Sequence, residues 1–91
     1  MIGSFRHKGL RDLFVTDNAR GVRADQVERI RKRLETLDEA TRIDDLKVPG
    51  WRLHALHTKP VRWSIWINGP WRITFEWADG DAVLVDLEQY H

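Results

Sequence analysis

Four histidines, His7, His54, His57 and His91, and a group of arginines that includes Arg52, Arg62 and Arg72 carry most of the reactive chemistry in this chain. There is no cysteine, which removes thiolate nucleophiles, disulfides and cysteine-ligated zinc together. The histidine spacing contains no H-E-x-x-H helix signature, so neither a metal nor another cofactor is expected. Acid–base chemistry remains. An imidazole titrates near neutrality, so one histidine can accept a proton while a second donates one. RNA cleavage needs both steps: the ribose 2′-hydroxyl loses its proton as it attacks the adjacent phosphorus, and the departing 5′-oxygen gains one. A guanidinium aimed at the phosphorane oxygens stabilises the charge that gathers there. Arg72 is the strongest guanidinium for that task, with Arg52 and Arg62 beside it as phosphate contacts.

The elements that position these groups follow from apolar spacing. Ile2 and Phe5 lie in a short N-terminal segment that reads as an edge strand. Over residues 8–15, Leu10, Leu13 and Phe14 recur at helical spacing. Over residues 24–37, Val27, Ile30, Leu34 and Leu37 make one apolar stripe, with Glu28, Arg29, Arg31, Lys32, Arg33 and Glu35 facing elsewhere. After the Pro49-Gly50 turn the period changes to two. Strands are expected over residues 51–56, 63–67, 71–77 and 82–87, with turns at Asn68-Gly69-Pro70 and Asp79-Gly80. The run Ala82-Val83-Leu84-Val85 is apolar at successive positions and reads as a central strand. The expected architecture is α+β: two N-terminal helices packed on a mostly antiparallel sheet, in one domain over residues 1–91.

Alternation sorts the side chains by face. His54 shares the polar face of its strand with Arg52, and His57 lies just beyond. Arg62 and Arg72 alternate outward, whereas Trp51, Trp63, Trp71 and Trp77 share core-facing parity. Trp66 has the opposite parity and is the tryptophan suited to stacking on a base. Tyr90 and His91 end the chain.

The formal net charge is only +1, but all Lys and Arg residues except Arg72 precede residue 63, leaving room for a basic face beside an acidic edge. No segment approaches the roughly 20 apolar residues needed to span a bilayer, and the N-terminus lacks the apolar run of a secretory signal. A cytoplasmic protein without a membrane partner is therefore expected.

Several blocks occur in a joint order: Phe5-Arg6-His7-Lys8-Gly9-Leu10, Arg52-Leu53-His54-Ala55-Leu56, Trp71-Arg72-Ile73-Thr74-Phe75, Gly80-Asp81-Ala82 and the terminal Tyr90-His91. In this order the chain resembles the HigB branch of the RelE-like bacterial toxins across essentially its whole length. The resemblance implies a RelE-like microbial RNase fold and endonucleolytic cleavage of messenger RNA in the A site of the 70S ribosome. It also implies inhibition by a HigA-like helix-turn-helix antitoxin, through which operator DNA is an indirect partner. Its catalytic residues fall on His54, Arg72, Tyr90 and His91; beside them Arg52, His57, Arg62 and Trp66 are the RNA contacts expected from the chain's own charges and strand parity. Two positions depart from the family pattern: Gln89 stands where members can carry aspartate, and His57 where they can carry lysine. Glutamine cannot replace a carboxylate as a base, and Glu88, one residue earlier, alternates to the other face of the strand. A second class of function fits the same charges: an RNA- or ribosome-binding module with weak or no catalysis. In a third reading, Trp66 and the helix stripe form a protein-binding surface.

Overall fold

The computed structural model describes residues 1–90, so the expectation for His91 lies outside the described residues. Helix α1 (Lys8–Thr16) buries Leu10 and Leu13. The His7 ring caps its start, Nδ1 accepting from the Leu10 N–H at 3.1 Å, and so serves local structure. Helix α2 (Val27–Glu39), entered through a 3₁₀ turn at Ala24–Gln26, buries Ile30, Leu34 and Leu37 as the stripe predicts. Arg33 departs from the expected pattern. It is 8% exposed, its Nε donates to the Trp66 carbonyl at 2.9 Å, and its guanidinium lies 4.9 Å from the Trp51 ring centre. An arginine on the flank of the stripe thus ties α2 to the sheet, because its stem can be buried while its fork meets backbone acceptors.

A second 3₁₀ turn, Ile43–Leu46, follows α2 and is held by Asp45. The carboxylate accepts from the Thr41 and Arg42 backbone N–H groups at 2.9 and 3.1 Å. These bonds hold its pKa below the ordinary aspartate value. Because the folded value is the lower one, the stabilisation is complete above about pH 4, the usual aspartate range, and disappears as pH falls through the folded value. Asp45→Ala is expected to melt below the parent at neutral pH, with the two melting temperatures converging on acidification. A constant gap in a pH series of thermal unfolding would reject this role.

The sheet has the order β1-β2-β3-β4, antiparallel throughout: β1 (His54–Ala55), β2 (Trp63–Asn68), β3 (Trp71–Ala78) and β4 (Asp81–Gln89). Ile65, Ile67, Ile73, Phe75, Ala82 and Val85 form one core with the apolar residues of both helices. The α+β expectation is met, with two local corrections. The strand expected over residues 51–56 contracts to His54–Ala55, because Arg52 adopts a left-handed conformation (φ 52°) that interrupts extended pairing. The strand containing Ala82–Val85 is last in the sheet order rather than central. Its outer edge is covered by the N-terminal segment, which makes isolated parallel bridges from Ile2 to Ala82 and from Phe5 to Val85. That covering gives hydrogen-bond partners to backbone groups of an edge that would otherwise be open.

The β3–β4 hairpin turns through Asp79 and Gly80, both at positive φ (53° and 82°), the backbone that a two-residue turn of matching twist requires. The ladder then shifts between Thr74 and Glu76, where Leu84 on β4 also has positive φ (50°). Below this bulge Thr74 pairs with Asp86, Arg72 with Glu88, and Trp71 with Gln89.

Candidate active site

The face of the sheet turned away from the helices is polar at its centre. Cross-strand partners share a face, so the pairs His54–Ser64, Ser64–Thr74, Trp66–Arg72 and Arg72–Glu88 place these side chains on it together. Trp66 is half-buried and donates its indole N–H to the Gly69 carbonyl at 2.9 Å. The Arg52 guanidinium covers its ring at 4.4 Å, forming a cation–π contact at the edge of the face.

Arg72 and His54 meet at 3.3 Å, between Nη1 and Nε2. The other ring nitrogen of His54, Nδ1, lies 2.8 Å from the Arg52 carbonyl. A carbonyl only accepts and a guanidinium only donates, so both contacts are satisfied by one neutral tautomer, with the proton on Nδ1 and the lone pair of Nε2 toward Arg72. The Arg72 guanidinium is also stacked 4.4 Å from the Tyr90 ring centre. Tyr90 itself is tethered by its backbone N–H to the Pro70 carbonyl at 2.8 Å. Arg72 is therefore held between a histidine and an aromatic ring. Its Nε is buried and has no hydrogen-bond partner among the described residues.

Arg62 does not present an outward guanidinium, contrary to its strand parity. It is 7% exposed and bonded within the fold: Nη1 to Glu76 at 3.2 Å, Nη2 to Thr74 Oγ1 at 3.1 Å and to the Leu84 carbonyl at 2.8 Å. The parity is correct, but the chain covers this part of the face and the positive φ of Leu84 accompanies a carbonyl within Arg62's reach. Arg62 is thus an internal brace beneath the site. His57 lies exposed in the segment after β1, outside the paired strands. Among the described residues no group of three His, Asp or Glu side chains is arranged to hold a metal ion.

Of the expected catalytic residues, the fold brings His54, Arg72 and Tyr90 into one contact series. Comparison with known proteins bears on what such a series is for. A family model described as the RelE-like toxin of type II toxin–antitoxin system HigB matches residues 3–91. The chain belongs to this family. This HigB-type toxin is also 44% identical over 92 residues to the Endoribonuclease HigB of Proteus vulgaris, in an alignment that covers the full length of both proteins. No helix among its described residues is long and apolar enough to cross a membrane.

Proposed function

We propose that this HigB-type toxin is a ribosome-dependent endoribonuclease that cleaves messenger RNA in the ribosomal A site without a resident metal. The observation that carries the reading is the 3.3 Å contact between Arg72 and His54, a fixed cation beside a proton-transfer group on an open sheet face. The named endoribonuclease among its relatives supports the same reaction class. An incoming phosphate would meet Arg72, whose charge stabilises the phosphorane more than the ground state. His54 exchanges a proton with the reacting oxygens, and Tyr90 holds the guanidinium in place. By family correspondence His91 is a further candidate for proton transfer. Arg52 and Trp66 offer a base or the sugar-phosphate backbone a cationic and aromatic edge, and His57 is a peripheral RNA contact. A HigA-like helix-turn-helix antitoxin is the expected inhibitor, with operator DNA reached through it.

The test is single-turnover cleavage of ribosome-bound messenger RNA, with growth arrest measured in parallel. His54→Ala is expected to lower the cleavage rate on the order of 100-fold, the usual range for a lost proton-transfer group, while still occupying the ribosome. A parent that binds the ribosome but cuts no message would establish the binding-module reading instead.

A further inference from the structure

Glu88 is the acidic side chain that the β3–β4 register places directly across from Arg72, and the reading above gives it no task. Its neighbour Gln89 pairs with Trp71 and so shares the helix-side face. Glu88 is half-buried, and its Oε2 accepts from the Thr74 hydroxyl at 2.6 Å. That hydroxyl has one proton to donate, and it also accepts from Arg62 Nη2 at 3.1 Å. The direction of the series is therefore fixed: Arg62 donates to Thr74, and Thr74 donates to Glu88. Thr74 is fully buried and Arg62 is braced by Glu76 and the Leu84 carbonyl, so the carboxylate rests on a rigid support. Glu88 forms no ion pair with Arg72 or any other cation among the described residues, and its Oε1 has no partner there. The Arg72 cation is instead engaged by His54 and Tyr90.

We propose that Glu88 is the general base of the cleavage reaction, resting on the endoribonuclease reading above. A phosphate bound at Arg72 has His54, from β1, on one side and Glu88, from β4, on the other. In-line displacement needs its entering and departing oxygens on opposite sides of phosphorus, and two proton-transfer groups on opposite sides match that demand. Glu88 Oε1 takes the proton of the ribose 2′-hydroxyl as the 2′-oxygen forms its bond to phosphorus. The bond from phosphorus to the 5′-oxygen breaks with its electron pair, and that oxygen receives a proton from Nε2 of His54, whose ring takes up a proton there once the bound phosphate has drawn the Arg72 guanidinium away from that nitrogen. The products are a 2′,3′-cyclic phosphate and a 5′-hydroxyl end, with no change of oxidation state.

Glu88→Gln keeps the shape of the side chain and an acceptor for Thr74 but removes the basic oxygen. It is expected to slow single-turnover cleavage of ribosome-bound message about 100-fold, with ribosome binding unchanged. Glu88→Ala is expected to regain rate with added formate, in proportion to its concentration, because a small carboxylate can enter the vacated space and accept the proton. With a message carrying sulfur in place of the departing 5′-oxygen, the Glu88→Gln defect is expected to persist, since a thiolate leaves without needing a proton. Parental cleavage by Glu88→Gln overturns the assignment, as does loss of its defect on the sulfur-containing message. Should Glu88→Gln fail to fold, absence of formate rescue in Glu88→Ala decides against it. A parent that cuts no message refutes the endoribonuclease reading itself, and the assignment with it.

Discussion

Arg72→Ala is expected to reduce single-turnover cleavage of ribosome-bound message about 100- to 1,000-fold, the range seen when a donor to a developing oxyanion is lost. Ribosome affinity should change far less, because many contacts share the binding of a long polyanion and only the reacting phosphate needs this guanidinium. The expectation rests on how tightly Arg72 is set: His54 Nε2 at 3.3 Å on one side and the Tyr90 ring at 4.4 Å on another. Arg72→Lys keeps the charge but loses the planar fork that makes both contacts, so it should recover only part of the rate. A parallel fall in cleavage and binding would make Arg72 an anchoring residue, and equal cleavage by mutant and parent would remove it from the reaction.

Arg62→Ala is expected to destabilise the protein by about 3 kcal/mol, the lower end for removing one member of a buried ion pair, since Glu76 keeps only a 4.0 Å contact with the half-exposed Arg6. The partner left behind is Glu76, and the Leu84 carbonyl and Thr74 hydroxyl lose a donor in the same step. Paired replacement by Arg62→Met and Glu76→Met should cost less than Arg62→Met alone, because no uncompensated carboxylate remains. Urea unfolding of the two single variants and the double variant measures the difference. Additive single effects would show that the 3.2 Å contact contributes no coupling.

These two arginines illustrate what the sequence discloses. Alternation in Trp71-Arg72-Ile73-Thr74-Phe75 places Arg72 away from the helix-side core, and the stripe Ile30-Leu34-Leu37 locates α2. Both patterns depend only on periodicity. The same alternation puts Arg62 on the Arg72 face but says nothing of what covers it there, so its burial was hidden. Glu88 was hidden for a different reason. Counting outward from the Asp79-Gly80 turn in unbroken register would set Leu87 across from Arg72 and send Glu88 to the helix side. The bulge at Leu84 adds one residue to β4 and reverses both assignments. No glycine marks that bulge. A leucine holds the positive φ, with its N–H bonded to Ser4 Oγ and its carbonyl to Arg62, and these partners become visible only in the folded chain. The short extent of β1 has a similar origin, in the left-handed backbone of Arg52, whose carbonyl orients the His54 ring.

The seam between the N-terminal segment and β4 has a consequence for the order in which the chain can fold. Met1 and Gly3 exchange backbone hydrogen bonds with Ala82, and Leu84 N–H reaches Ser4 across 80 residues of sequence. During synthesis the first residues have nothing to pair with until the last strand emerges. Both helices can coil earlier, since their own hydrogen bonds are local, but closing so long a loop delays the seam. The strand that receives the N-terminus also carries Glu88 and leads to Tyr90. A nascent chain therefore lacks the phosphate-facing surface for most of its elongation, and gains it in the same closure that covers the edge of its sheet.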